Sequence, residues 1–235
     1  MLIDFKLDGK TVIVVGGGAE AYRKTQSFLD SGATIWVISK GFSEGIKKLS
    51  EEKKVILLKT EIKDGTTFID CLNPKPDVLL AITNDSKLNL SLVKAAKAWG
   101  CMVYDVDNPV MSDFILPAVA RVGDVKVAVS TGGKSPAMAH VLRERIEKLV
   151  TPQDLLEIEL QAAMRGILKE QVSDAKVRGK LLYEILNNVN IKEALKEGKL
   201  KEAHELAMKL IEKKGEMTNE FSNCTNEKTT QNRGS

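Results

Sequence analysis

The residues with the clearest chemical meaning are small ones that follow a short run of β-branched residues, 12–15. The pattern G-x-G-x-x-A, which binds the pyrophosphate of a dinucleotide at a helix N-terminus, fits Gly16, Gly17, Gly18, Ala19, Glu20 and Ala21. Gly16 permits a tight turn, Gly18 leaves room for phosphates, and Ala21 lets the next helix pack closely. Other α/β proteins have similar turns, so the context must decide.

A second group of candidate contacts follows the next predicted strand, Thr34–Ile38. Enzymes that use NAD usually carry Asp or Glu there, because a carboxylate binds the ribose hydroxyls. This chain instead has Ser39, Lys40 and Gly41. Either Ser39 and backbone groups bind the ribose, or Lys40 attracts the 2′-phosphate of NADP. NAD is the expected cofactor, and NADP is the alternative.

Polar residues after two later strands are expected at the same edge of the sheet. Thr83 ends a buried strand that begins at Asp77, and Asn84 follows it. Asp107 follows the strand Cys101–Val106. Since the carboxyl ends of parallel strands face the ligand, Thr83 and Asn84 are candidate dinucleotide contacts. The alternative is that Asn84 belongs to the polar residues that cap the next helix.

Asp107 is the candidate catalytic base. A carboxylate beside a bound nicotinamide could take a proton while a hydride leaves to the cofactor, and partial burial would raise its pKa towards a useful value. The alternative is an Asx turn before Pro109. Asp105 and Asp113 compete for the same role.

The elements that must position these residues alternate between strand and helix as far as residue 113, which predicts an α/β fold with a Rossmann-like parallel sheet. Strands are predicted over 12–15, 34–38, 55–58, 77–83 and 101–106. A hairpin over 114–130 and a helix to Val150 then suggest a small dimerisation element. Further on the spacing is helical, with the last two helices over 177–187 and 191–213. We therefore expect an NAD-binding domain over 1–113, a dimerisation element over 114–150, an all-helical C-terminal domain over 151–215 and a disordered tail over 216–235.

Composition excludes several classes of protein. The 235 residues are 43% hydrophobic and carry a formal net charge of only +3, which argues against a general nucleic-acid binder. Three cysteines without a C-x-x-C pair support neither a disulfide framework nor a metal site, and Cys71 and Cys101 are interpreted as core thiols. We expect no signal peptide and no membrane span, and hence a cytoplasmic protein. His140 and His204 are interpreted as ordinary helix residues.

A second glycine-rich loop follows the predicted hairpin, and it comprises Thr131, Gly132, Gly133, Lys134 and Ser135. Ser135 is expected to cap the next helix, with Pro136 in its first turn. Basic residues near this loop could bind an anionic substrate, or they could form a solvated rim; they are Arg121, Lys126, Lys134 and Arg143.

Several segments together resemble a known family. They are GGG-x-x-A-x-R-K within 14–24, Ile82-Thr83-Asn84-Asp85, Val106-Asp107-x-Pro109, Phe114-Ile115-x-Pro117 and V-S-T-G-G-K-S-P over 129–136. Over residues 5–214 the chain resembles precorrin-2 dehydrogenase, the NAD-dependent enzyme that is also the N-terminal module of multifunctional sirohaem synthases. The last of these segments is the most specific, because generic Rossmann proteins lack it.

The resemblance implies oxidation of precorrin-2 to sirohydrochlorin in sirohaem biosynthesis, by an intertwined homodimer whose active site lies between its domains. It implies that Asp107 is the catalytic aspartate, and Thr131 falls where some members carry a serine that can be phosphorylated. The substrate is a tetrapyrrole with eight carboxylates, which suits the basic residues and backbone N–H groups of the second glycine loop. Some relatives also insert iron or cobalt, so a bifunctional ferrochelatase is an alternative. A non-enzymatic NAD(H) sensor is a third hypothesis.

Overall fold

The computed structural model describes residues 2–213. Contacts along the chain divide it into two compact units, the first ending at Pro117 and the second beginning at Ala118. The predicted tail, 216–235, lies outside the described residues. No helix within residues 2–213 is both long and apolar enough to cross a bilayer.

The first unit contains a five-stranded parallel sheet, which confirms the predicted Rossmann-like α/β class. Its strands are β1 (Thr11–Val15), β2 (Thr34–Ser39), β3 (Ile56–Lys59), β4 (Val78–Ala81) and β5 (Met102–Asp105). Its helices are α1 (Ala19–Thr25), α2 (Glu44–Glu51), α3 (Gly65–Cys71) and α4 (Ser86–Ala98). The strand order is β3-β2-β1-β4-β5. The order reverses next to β1, and a reversal of this kind opens a crevice at the carboxyl ends of the strands.

The sheet is buried on both faces. Along β1, Val12 and Val14 pack into one apolar cluster, while Ile13 packs into a second cluster on the opposite face. This alternation is what two layers of helices over a parallel sheet require, and it explains why the strand reads as a continuous apolar run. Most of β4 is equally buried, so the sheet edge beside these two strands is held rigidly.

Helix α3 is absent from the sequence prediction. Its residues, GTTFIDC, show little apolar periodicity. The available signal is Asp64, whose carboxylate accepts a hydrogen bond of 2.7 Å from the Thr67 backbone N–H and so caps the helix. The interpretation of Cys71 as a core thiol is wrong, since this residue is exposed, whereas Cys101 is buried.

The second unit begins with the predicted hairpin, in which β6 (Ala118–Val122) pairs antiparallel with β7 (Val125–Val129). Helix α5 (Pro136–Glu147) packs against both strands. Ser135 caps it by accepting a hydrogen bond from the Met138 backbone N–H.

Helices complete the second unit. They are α6 (Pro152–Gln171), α7 (Ala175–Asn187), α8 (Val189–Lys196) and α9 (200–213), and they enclose a separate apolar core. Thr151 and Asp154 form a reciprocal capping box at the start of α6. The prediction of one helix over 191–213 is wrong, because the chain turns at Gly198, whose φ of 75° favours glycine and separates α8 from α9.

Asp77 joins the entry of β4 to the entry of β1. Its carboxylate accepts a 2.9 Å hydrogen bond from the Thr11 backbone N–H and lies 2.9 Å from the Lys10 ammonium. These two contacts hold the pKa of Asp77 below its ordinary value. A carboxylate with a lowered pKa stabilises the fold above its unfolded pKa, and that contribution is lost as the pH falls through the folded value.

We therefore expect Asp77→Asn to lower the free energy of unfolding by about 1 kcal/mol near neutral pH, a small value because solvent screens the half-exposed pair. The deficit should shrink at acid pH, as protonation of the wild-type carboxyl removes the same contribution. Urea unfolding at the two pH values measures this, with the exposed Asp4→Asn as control. An equal deficit at both values contradicts the assignment.

Candidate active site

A cleft of about 1260 Å³ lies at the carboxyl end of the sheet. Loops that follow β1, β2, β3, β4 and β5 all contribute to it, as expected for the edge at which the strand order reverses. Its walls comprise 15–21, 38–42, 60–63, 82–85, Leu88, Val106 and Asp107. Every cofactor residue predicted from the sequence lies in this wall, and so does Asp107.

The glycine loop after β1 is built by close backbone approach. Gly16 has a φ of 136°, and a Cβ there would overlap the carbonyl oxygen of Ile82. A Cβ on Gly17 would overlap the carbonyl oxygen of Gly41. Gly17 occupies a position that the motif leaves unspecified, so its requirement for glycine was not predicted. A Cβ on Gly18 would meet no atom within 4 Å, although Gly18 lines the cleft. The requirement for glycine at positions 16 and 17 is therefore structural, and of the three glycines Gly18 alone leaves open space.

Helix α1 follows this loop with no side chain capping its N-terminus. Its first turn includes Glu20, whose carboxylate accepts hydrogen bonds of 2.9 and 2.6 Å from the Arg23 guanidinium. The hydrogen bonds from Arg23 lower the pKa of Glu20. The ammonium of Lys24 lies 3.8 Å from the same carboxylate. Arg23 and Lys24 thus offset the negative charge of Glu20. The repulsion between Glu20 and an anionic ligand at the glycine loop is therefore weaker.

The loop after β2 carries an ion pair that was not predicted. The Lys40 ammonium lies 2.7 Å from a carboxylate oxygen of Glu61, and both residues line the cleft. The hydrogen bond from Lys40 lowers the pKa of Glu61. Glu61 lies two residues beyond the end of β3, and its position at the carboxyl edge of the sheet is the signal that could have identified it. Lys40 is therefore already paired with a carboxylate.

The loop after β4 brings Thr83 and Asn84 to the cleft wall. Asp85, rather than Asn84, caps α4, since its carboxylate accepts hydrogen bonds from the backbone N–H groups of Lys87 and Leu88. Three hydrogen bonds join Thr83 to the side chain of Asn89, which is fully buried.

Asp107 lies at the edge of the cleft after β5. One of its carboxylate oxygens, Oδ2, accepts hydrogen bonds of 2.9 Å from the Ser86 hydroxyl and 2.8 Å from the Asn89 amide. The expectation of partial burial is wrong, because Asp107 is exposed. The residue lies two positions past the end of β5, which ends at Asp105.

The two competing aspartates have other contacts. Asp105 is buried, and its carboxylate accepts hydrogen bonds from the backbone N–H groups of Asp107 and Asn108. Asp105 therefore makes the Asx-type turn that was considered for Asp107. Burial alone would raise the pKa of Asp113, but the hydrogen bonds from Lys97 and from the Val103 backbone outweigh it and lower that pKa. Neither residue lines the cleft.

The second glycine loop belongs to the other unit. Gly132 and Gly133 have φ values of 62° and 78°, and the Thr131 hydroxyl accepts a hydrogen bond from the Ser135 backbone N–H. Lys134 is exposed at the tip of this turn.

Of the basic residues near the second glycine loop, Arg121 pairs in register with Lys126 across the hairpin. Arg143 instead forms a 2.6 Å ion pair with Glu147. A hydrogen bond to Glu147 occupies part of that guanidinium, so Arg143 contributes less positive charge to the predicted basic group.

Two family models match successive parts of the chain. Residues 3–118 match a model described as NAD(P)-binding, and residues 122–149 match a model described as the central part of a sirohaem biosynthesis protein. The first model agrees with a nicotinamide cofactor and does not distinguish NAD from NADP.

Among curated relatives, the sirohaem synthase of Pseudomonas paraeruginosa is 30% identical over 200 residues, which is 85% of this chain and 42% of the relative. The sirohaem synthase of Nitrosococcus oceani is 31% identical over 202 residues, 86% of this chain and 42% of the relative. The chain thus spans about two fifths of the length of these relatives. A solved structure titled SirC, precorrin-2 dehydrogenase, is similar with a TM-score of 0.69 at 22% identity and covers 89% of this chain and 99% of that one.

The glycine loop allows a test that separates folding from binding. We expect Gly17→Ala to lower the free energy of unfolding by about 2 kcal/mol, because its methyl group would displace the Gly41 carbonyl. Gly18→Ala should change it by less than about 0.5 kcal/mol, yet weaken NAD binding at least about tenfold, because its methyl group enters space that a pyrophosphate needs.

Urea unfolding and calorimetric titration with NAD measure the two effects. Gly166→Ala is the matched control, since a Cβ at that helical position also meets no atom within 4 Å. If Gly18→Ala binds NAD as tightly as the wild type, the glycine loop does not hold the pyrophosphate.

Proposed function

We propose that this chain, which is similar to sirohaem synthases over its NAD(P)-binding and central segments, oxidises precorrin-2 to sirohydrochlorin with NAD. The observation that carries this proposal is that Asp107 lines the same cleft as the glycine loop. A dinucleotide site and a carboxylate at one sheet edge are the minimum that hydride removal coupled to proton removal needs.

The residues present fit a nicotinamide dinucleotide. Gly18 leaves open space beside backbone N–H groups, the first turn of α1 has no side-chain cap, and the neighbouring Glu20 charge is compensated by Arg23. When bound, the nicotinamide supplies the acceptor for a hydride. The glycine loop and α1 bind the phosphates, while Thr83 and Asn84 line the wall towards Asp107.

Asp107 acts as the base in this proposal. Oxidation removes two hydrogens from the tetrapyrrole, one as a hydride that the cofactor accepts and one as a proton that Asp107 takes. Its Oδ2 already accepts two hydrogen bonds, whereas Oδ1 accepts none from residues within 2–213. Oδ1 is therefore the atom that receives the proton. Exposure of the carboxylate leaves it accessible to a large substrate.

We propose that the second glycine loop binds carboxylates of the tetrapyrrole, through Thr131, Gly132, Gly133, Lys134 and Ser135. The left-handed turn at Gly132 and Gly133 and the exposed ammonium of Lys134 support this role, since backbone N–H groups and a cation both suit carboxylates.

We also propose that the protein is a homodimer through the element at 114–150. Met138 and Val141, three residues apart on α5, expose apolar surface that a second copy would cover, as does Leu149.

For the cofactor, we propose a preference for NAD over NADP. A 2′-phosphate near Lys40 would have to displace the Glu61 carboxylate from that ammonium, and it would also meet the negative charge of Glu61. NAD carries hydroxyl groups there, and a carboxylate accepts hydrogen bonds from hydroxyls. Glu61 thus supplies, from the loop after β3, the acidic group that β2 lacks.

The catalytic proposal predicts that Asp107→Ala lowers the rate of precorrin-2 oxidation at least about 100-fold, because a general base contributes factors of that order. Binding of NAD should change less than about twofold, since the glycine loop is intact. Formation of NADH and of sirohydrochlorin, followed by absorbance, measures the rate, and calorimetry measures the binding.

Asp70→Ala serves as the control, because Asp70 binds Trp99 on the surface and does not line the cleft. Unchanged turnover in Asp107→Ala removes Asp107 from the mechanism. Binding of NAD(H) by the wild type without binding of sirohydrochlorin would favour the sensor hypothesis. Iron insertion above the uncatalysed rate would instead add the ferrochelatase activity, which stays a hypothesis.

The cofactor proposal predicts that Glu61→Gln increases the affinity for NADP at least about fivefold, because it frees Lys40 to bind the 2′-phosphate. The affinity for NAD should stay equal or fall slightly. Titrations of both cofactors into wild type and variant test this. Glu44→Gln is the control, since it breaks another exposed ion pair, with Lys47, away from the cleft. An unchanged ratio of the two affinities would show that Glu61 does not select the cofactor.

A further inference from the structure

Asn89 connects the loop after β4 to Asp107, and it was not among the residues predicted from the sequence. We propose that Asn89 is a positioning residue, whose side-chain amide holds Oδ2 of Asp107 so that Oδ1 is presented to the substrate. This inference rests on the proposed function, in which Asp107 is the base.

The Asn89 side chain makes four hydrogen bonds. Its Oδ1 accepts from the Thr83 backbone N–H at 3.0 Å and from the Thr83 hydroxyl at 2.7 Å. Its Nδ2 donates to the Thr83 carbonyl at 3.0 Å and to Asp107 Oδ2 at 2.8 Å. Since Asn89 is fully buried, these bonds satisfy both ends of its amide away from solvent.

The contacts with Thr83 determine which way the amide points. A backbone N–H can only donate and a backbone carbonyl can only accept, so Oδ1 must face the first and Nδ2 the second. The remaining hydrogen of Nδ2 is then directed at Asp107. Because the Asn89 amide is buried and bonded to Thr83 at both ends, its orientation is set by the protein and does not require bound substrate.

Two further contacts restrain Asp107. The Ser86 hydroxyl, from the first turn of the same helix, donates to Oδ2 at 2.9 Å. On the other side, the Asp107 backbone N–H donates to the buried Asp105 carboxylate at 3.0 Å. Both side-chain donors therefore lie on one oxygen, and the second oxygen is left to accept a proton.

Capping of α4 does not require the bond from Asn89 to Asp107. Asp85 already accepts from the first free N–H groups of that helix, and the Asn89 backbone N–H donates to the Asp85 carbonyl. The side-chain bond to Asp107 is additional to these, and it joins a cofactor-wall residue, Thr83, to the proposed base. A positioning role accounts for it.

The test uses Asn89→Asp, which keeps the shape and the oxygen that accepts from Thr83. As a carboxylate it can no longer donate to Asp107 or to the Thr83 carbonyl. We expect kcat for precorrin-2 oxidation to fall at least about 30-fold, with the KM and the NAD affinity within about threefold of wild type. Ser86→Ala, which removes the other donor, should lower kcat by a smaller factor.

Coupling distinguishes positioning from general damage. In the Asp107→Ala background, single-turnover rates with Asn89→Asp added should equal those of Asp107→Ala alone, because the group to be positioned is gone. Thr25→Val is the matched control, since Thr25 is also fully buried and its hydroxyl donates to the Ala21 carbonyl, away from Asp107. If Thr25→Val lowers the single-turnover rate, the factor should be the same in the wild type and in the Asp107→Ala background.

An activity-independent measurement keeps this inference separate from the proposed function. In a ¹⁵N–¹H spectrum, the Asn89 side-chain amide should resonate at a different position in Asp107→Ala than in the wild type, whereas Asp70→Ala should leave it unchanged. If the wild type does not oxidise precorrin-2, the proposed function fails, and this spectrum still tests the contact. Multiplicative losses in the double variant, or an Asn89 amide that is unaffected by Asp107→Ala, would overturn the positioning role.

Discussion

The close approach of three backbone segments around the end of β1 is the constraint on which the cleft depends. Gly16 lies against the Ile82 carbonyl, and Gly17 lies against the Gly41 carbonyl. These contacts draw the loops after β2 and β4 towards the glycine loop, so that all three form one wall. Neither position has room for a Cβ, and the loss of conformational entropy that glycine brings is offset by the packing of the sheet beneath.

Two of the carboxylates that line the cleft are paired with cations. Glu20 binds Arg23, and Lys40 binds Glu61. Asp107 differs, because its partners are a neutral hydroxyl and a neutral amide. Neutral donors orient a carboxylate without neutralising it, whereas a cation at the same distance would reduce its tendency to take a proton. Within the proposed function, the acidic group that does chemistry is thus the one held by dipoles, and the acidic groups that shape cofactor binding are held by cations.

The sequence was sufficient for those parts of the fold that depend on local patterns. Five strands, the glycine motif and the capped starts of α5 and α6 follow from alternation, small residues and cap chemistry within a few positions. Helix α3 was not predicted because its residues lack apolar periodicity. The break at Gly198 was not predicted because helical periodicity continues on both sides of it. At the site, Gly17, Glu61 and Asn89 were missed for a common reason. The need for each arises from residues distant in sequence, namely Gly41, Lys40 and Asp107, which only the folded sheet edge brings near.

The exposure of Asp107 changes the physical account of how such a base would work. Burial by the protein was expected to raise its pKa, but Asp107 is exposed to solvent. Removal of water from Oδ1 must then come from the substrate itself, which is large enough to cover a surface carboxylate. Proton transfer to Oδ1 also requires that the carboxylate be oriented before the substrate binds. A freely rotating side chain would otherwise lose rotational entropy during the reaction. Within the proposed function, the hydrogen bonds from Asn89 and Ser86 of α4 supply that orientation, which burial was expected to supply.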